Sequence, residues 1–76
     1  MNKYFFDVVS QNHSEYDYQG RVLDAPEKAL RVAELVALDL EVESDGGRAG
    51  WSVAVRDAQG RQYFTIPVQS AELIAA

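Results

Sequence analysis

The chain has 76 residues, enough for a single domain spanning 1–76 with one hydrophobic core. Its 12 Asp and Glu outnumber its 7 Lys and Arg, giving a net charge of -5; this argues against binding nucleic acid, since that affinity comes from cationic side chains. The lack of cysteine excludes disulfides and thiolate metal sites, and a 47% hydrophobic content excludes an acidic disordered segment.

Hydropathy along the chain indicates a cytoplasmic protein. Asp7 interrupts the N-terminal apolar run before it reaches the length of a signal-peptide core. No later run approaches the length of a membrane span. We therefore expect no direct contact with membrane or nucleic acid.

The first 18 residues predict a β-hairpin. Residues 4–9 alternate as a strand with an aromatic side chain on each face, which suits a central strand or one covered by another subunit. Residues 10–12 have turn chemistry. Acids alternating with tyrosines over residues 15–18 predict a half-exposed strand that pairs back on the first.

The next segment predicts an amphipathic helix over residues 25–43. Asp24 is placed to cap it, Glu27 is the capping-box partner, and Pro26 is tolerated in the first turn. At 100° per residue, one stripe forms the expected core face. The stripe comprises Ala29, Leu30, Ala33, Val36, Ala37 and Leu40, and its alanines allow close approach to a sheet.

Residues 44–50 predict the end of the helix and a connector, because their glycines can adopt the left-handed conformation. The segment does not match a phosphate loop, since its glycines follow a helix and no Gly-Lys-Ser/Thr comes after them.

The remaining sequence predicts a second hairpin. Residues 51–56 alternate, residues 57–60 form a turn, and residues 63–68 return with Pro67 at a sheet edge or strand end. Ser70 is placed to cap a short helical turn through Ile74. The prediction is an α+β fold of order ββαββ, with an antiparallel sheet of about four strands, one amphipathic helix packed on it and a short C-terminal helical turn.

The pattern Asp-x-Gln-Gly-Arg occurs at residues 17–21 and again at 57–61. Tight turns select Asp and Gly for backbone reasons, so two similar turns explain the pattern without a duplicated hairpin.

Short motifs are spread over nearly the whole chain: Tyr4-Phe5-Phe6-Asp7-Val8, Asp17 with Gly20 before Asp24, Ala29 and Ala33 in the helix, Val55-Arg56-Asp57 with Gly60, and Thr65-Ile66-Pro67-Val68. Together they resemble a family of short, uncharacterised bacterial proteins, a domain of unknown function. The resemblance implies a small cytosolic protein and assigns no catalytic residue. A weaker likeness, in topology, is to HicB-type antitoxins, where a hairpin also leads into a helix opening as Glu27-Lys28-Ala29 does.

Candidate catalytic and metal-binding residues are few. His13 is the single histidine, and with Ser14 beside it a small hydrolase is a remote alternative. Only oxygen ligands remain for a metal, and the acids do not follow the spacing of a calcium-binding loop. We therefore predict a protein that is not an enzyme, with no metal site and no cofactor.

The helix carries two features that favour an interaction surface. The first is a set of acids with no basic residue between Arg31 and Arg48: Glu34, Asp39, Glu41, Glu43 and Asp45. Negative charge near a helix C-terminus opposes the macrodipole, although a solvated acidic face kept for solubility explains it equally simply. The second is an apolar ridge opposite the core stripe, formed by Leu35, Leu38 and Val42.

An exposed ridge with an acidic margin is typical of a binding surface. Alternatively, the 44–50 loop or the C-terminal turn packs over the ridge and buries it. Our leading hypothesis is a self-associating interaction module, a homodimer formed through the ridge or through strand edges. The second is an antitoxin-like or inhibitor protein whose acids bind a basic protein partner.

Overall fold

The computed structural model describes residues 1–45 and 47–68. It contains five strands and one helix in the order β1 (Asn2–Val9), β2 (Ser14–Glu15), β3 (Arg21–Leu23), α1 (Pro26–Ser44), β4 (Ser52–Asp57) and β5 (Gln62–Pro67). All strand pairs are antiparallel, and the helix packs on the sheet, which confirms the predicted α+β fold. The predicted C-terminal turn from Ser70 to Ile74 lies outside the described residues.

The long strand β1 lies in the centre of the sheet. On one side it pairs with β4, and β5 follows at the outer edge, where Pro67 ends the strand. On its other side β2 pairs with Val8 and Val9, while β3 pairs with residues 2–4. On the face of β1 away from the helix, the Phe5 ring lies 4.5 Å from the Arg56 guanidinium and is thereby half-buried.

The predicted second strand over residues 15–18 is wrong beyond Glu15. The chain leaves the sheet at Tyr16 and rejoins it as β3, so two short strands share the edge of β1. The interruption leaves the Phe6 N–H without a strand partner, and the Asp17 carboxylate accepts its hydrogen bond at 3.1 Å. A side chain thus replaces a strand carbonyl in the middle of the hairpin.

The core lies between α1 and one face of the sheet. Its fully buried members include Tyr4, Val53 and Val55 from the central strands and three helix alanines. Those alanines, Ala29, Ala33 and Ala37, are all within the predicted stripe, and their small side chains let the helix approach the sheet closely. Val36 and Leu40 pack at the margin of the core, as do Phe64 and Ile66 of β5.

Two predictions about the helix ends are wrong. The N-cap residue is Ala25, with no side-chain cap, because the Asp24 carboxylate instead pairs with Lys28 at 2.9 Å. The left-handed residue that ends the helix is Asp45, with φ 50°, and not a glycine. Aspartate visits this conformation more readily than most residues because its short polar side chain bonds locally.

The two Asp-x-Gln-Gly-Arg segments form similar turns. In each, the aspartate Oδ1 accepts the N–H of the glutamine two residues on, at 3.0 Å for Asp17 and 2.9 Å for Asp57. In each, the glycine has a positive φ, 71° at Gly20 and 84° at Gly60. The repeat therefore reflects turn chemistry, as the sequence indicated.

Candidate functional site

The outer face of α1 points away from the sheet and carries the predicted ridge. The exposed fractions are 62% for Leu35, 49% for Leu38 and 72% for Val42. These are branched apolar side chains, whose exposure in water is unfavourable when it is contiguous. The described residues of the 44–50 loop therefore do not cover the ridge, and the other predicted cover, the C-terminal turn, lies outside the described residues.

The ridge continues beyond its apolar centre. Five residues of α1 follow the 3-4 spacing of a helix seam, and Asp45, the left-handed C-cap residue beyond the helix, continues this spacing in the sequence: Lys28, Arg31, Leu35, Leu38, Val42 and then Asp45. Lys28, Arg31 and Asp45 are all exposed. Sequence reasoning found the apolar part and missed its basic end, although the spacing alone would have extended the seam.

The acids predicted as a margin lie on both sides of the ridge. Glu34, Asp39, Glu43 and Asp45 are exposed, and Glu41 is half-buried. Among the described residues, none of the five takes part in an ion pair. The last helical turn also contains no basic residue, so all the charged side chains on the C-terminal half of the outer face are negative.

A second cluster lies on the sheet face opposite the helix, around Arg56. Its Nε donates to Asp7 Oδ2 at 2.7 Å, and its Nη2 donates to the Asp17 carbonyl at 3.2 Å. The guanidinium also stacks 4.5 Å from the centre of the Phe5 ring. The hydrogen bond to Asp7 raises the pKa of Arg56, with burial acting in the opposite direction.

Asp17 is the acceptor that holds this cluster together. Its carboxylate accepts the N–H groups of Phe6, Gln19 and Gly20, while its own N–H donates to Asp7 Oδ1 at 2.9 Å. Burial raises the pKa of Asp17, but the three backbone hydrogen bonds and the nearby guanidinium outweigh it, so the pKa is lowered.

The Asp7, Asp17 and Arg56 cluster is closed, with its groups bonded to one another. In the described part of the chain, no buried side-chain nitrogen or oxygen lacks a hydrogen-bond partner. These residues also belong to the motifs that carried the family resemblance. We conclude that those motifs specify the fold at this position, because the Asp7 and Asp17 carboxylates are bonded to neighbouring groups of the sheet.

His13 lies in a different cluster, at the end of the sheet near the 47–51 turn. The His13 ring meets the Trp51 ring edge-on, with 5.7 Å between their centres. The Arg48 guanidinium lies 4.5 Å from the centre of the same Trp51 ring. Arg48 in turn pairs with Glu15 at 3.0 Å, and His13 Nε2 lies 3.9 Å from the same carboxylate. Among the described residues, no hydrogen bond joins the His13 ring to a serine hydroxyl, as a nucleophile and base would require.

Two further properties concern the part of the chain that the structure describes. Within it, no group of three or more His, Cys, Asp or Glu side chains is arranged to hold a metal ion. Its one helix is not apolar enough over its length to cross a bilayer.

In the comparison with protein families, the model of a domain of unknown function (DUF6894) matches residues 3–69. No curated protein and no solved structure matches the chain.

Proposed function

Since the chain belongs to the DUF6894 family, a domain of unknown function, we propose its role from its own surface: a non-enzymatic interaction module that self-associates through the outer face of α1. The observation that carries this proposal is the exposure of Leu35, Leu38 and Val42 on one helix face. The partner we propose is a second copy of the chain, because the seam carries opposite charges at its two ends.

The ridge supports a weak dimer. A two-fold pair brings six such side chains together, and each contributes about 1 to 2 kcal/mol when it leaves water. Association costs at least about 4 kcal/mol in translational and rotational freedom. The balance is about 2 to 8 kcal/mol, and the part above about 4 kcal/mol, which the proposal requires, corresponds to dissociation constants of about micromolar to millimolar.

The test is the mass of the protein in solution over a wide concentration range. Sedimentation equilibrium from about 0.5 µM to 1 mM covers the expected dissociation constants. We expect a monomer at low and a dimer at high concentration, with the transition lost in the variant Leu35→Gln with Leu38→Gln. A mass of one chain throughout this range would refute the proposal.

A matched control removes apolar surface elsewhere. Tyr18 is 85% exposed and lies in the segment between β2 and β3, away from the helix. Tyr18→Gln should leave the dissociation constant unchanged. An equal loss of dimer in Tyr18→Gln and in the ridge variant would show that the ridge has no special role.

A second candidate function is favoured by the five acids from Glu34 to Asp45, which form no ion pair with any described residue. In this proposal a basic protein binds them, as in an inhibitor or antitoxin, and electrostatic attraction speeds the association. A lysine-rich peptide, measured by calorimetry at low and high salt, is the probe. Binding that Asp39→Asn with Glu43→Gln does not weaken would contradict this candidate.

A further inference from the structure

The charges along the α1 seam are arranged in a way that selects one orientation for a helix pair. Lys28 and Arg31 precede the apolar centre, and Asp45 follows it at the C-cap. From this placement we infer that the dimer is antiparallel and in one register, with Lys28 of each chain against Asp45 of the other. This inference rests on the proposed self-association.

The register follows from the spacing of the seam. In an antiparallel pair, a residue at the first seam position of a heptad faces one at the fourth position of the partner helix. Placing Leu35 opposite the second copy's Leu38 puts Arg31 opposite Val42 and Lys28 opposite Asp45. The two-fold axis repeats each contact, so both ends of the helix pair join a basic residue to an acidic one.

The parallel alternative brings like charges together. With the two helices side by side in the same direction, Lys28 would face Lys28 and Asp45 would face Asp45, and like-charge contact is destabilising. The helix dipoles would also repel, whereas antiparallel helices place each negative C-terminus beside a positive N-terminus. Both terms favour the antiparallel pair.

Arg31 has a further role in the antiparallel pair. The flanks of the seam bring Glu34 of one helix near Glu41 of the other, two groups of like charge. Arg31 is one turn before Glu34 on its own helix and lies opposite the second copy's Val42. Its aliphatic stem covers that valine while its guanidinium lies between the two carboxylates.

Cysteine cross-linking tests the orientation directly, because the natural chain contains no cysteine. Two variants, Lys28→Cys and Asp45→Cys, carry tags of different size and are mixed and oxidised under mild conditions. A disulfide requires Cα atoms within about 7 Å of each other. We expect the mixed 28–45 product to exceed both same-site products at least tenfold.

A second cysteine pair avoids any effect of substituting the left-handed residue Asp45. Arg31→Cys mixed with Val42→Cys should likewise give the mixed product, and circular dichroism verifies that each variant is folded. A predominance of 28–28 and 45–45 products, or no cross-link in either pair while sedimentation shows a dimer, overturns the antiparallel register and leaves self-association intact. A monomer in sedimentation removes both proposals together.

Discussion

Asp17 is predicted to be among the most important single side chains for the stability of this fold. The variant Asp17→Ala removes the acceptor for three backbone N–H groups, those of Phe6, Gln19 and Gly20. It also frees the segment between β2 and β3, whose position depends on this carboxylate. The expected result is a large fall in the free energy of unfolding.

The magnitude follows from the exposure of each hydrogen bond. The bond to Gln19 is exposed and adds little, whereas those to Phe6 and Gly20 are partly buried. Each partly buried bond to a carboxylate is worth about 1 to 2 kcal/mol after allowance for solvent screening, giving about 2 to 4 kcal/mol in all. A domain of this size has about 4 to 11 kcal/mol of stability, so the variant loses a large share of it.

Urea unfolding measures this loss, with the fluorescence of the single Trp51 and circular dichroism as independent probes. Asp17→Asn should fall between the wild type and Asp17→Ala, because one amide oxygen can serve Gln19 and Gly20 while the NH₂ group faces the Phe6 N–H. Asp24→Asn is the control, since its pair with Lys28 is exposed to solvent and contributes little to stability. If Asp17→Ala differs from this control by less than about 1 kcal/mol, the role given to the carboxylate is refuted.

Three further predictions concern stability. Gly20→Ala should destabilise the fold by about 1 to 3 kcal/mol more than Gly60→Ala, since an added Cβ would lie 2.9 Å from the Phe5 ring at the first site and in open space at the second; equal urea midpoints would contradict this. The pKa of Asp17 is lowered from 3.8, so its contribution to stability is complete above about pH 4 and is lost as the pH falls through the folded-state pKa. The free energy of unfolding should therefore fall less steeply with decreasing pH in Asp17→Ala than in the wild type. Asp45→Gly should stabilise the fold by about 0.5 kcal/mol and raise the thermal midpoint, because glycine adopts φ 50° without a side-chain penalty. An unchanged or lower midpoint would contradict a backbone penalty at Asp45.

Elements with strong periodicity were predictable from the sequence. The helix was placed to within one residue at each end, and its alanine stripe is the buried stripe of the structure. The second hairpin formed as predicted, because Asp57 and Gly60 specify the turn and apolar alternation specifies the strand faces. In these cases the information is local, since hydrogen bonds and burial repeat along the same segment.

The interrupted strand was not predictable in the same way. Alternation through Tyr16 and Tyr18 favoured a continuous strand, but Asp17 bonds to Phe6, 11 residues away, and breaks it. The capping role given to Asp24 failed for a related reason, since a lysine one turn later competes for its carboxylate. Both outcomes depend on which partner a polar side chain finds, and a local pattern does not contain that choice.

The outer face of α1 shows the same division between the sequence and the tertiary structure. The spacing of Leu35, Leu38 and Val42 determined that these side chains share a face opposite the alanine stripe, because a helix fixes the angle between successive residues. Whether that face is covered depended on where the 44–50 loop and the C-terminal turn run, and helical spacing does not contain that information. In the described part of the chain, the Val68 N–H donates to the Trp51 carbonyl at 2.8 Å, which holds the end of the loop beside the end of β5, and the ridge is exposed.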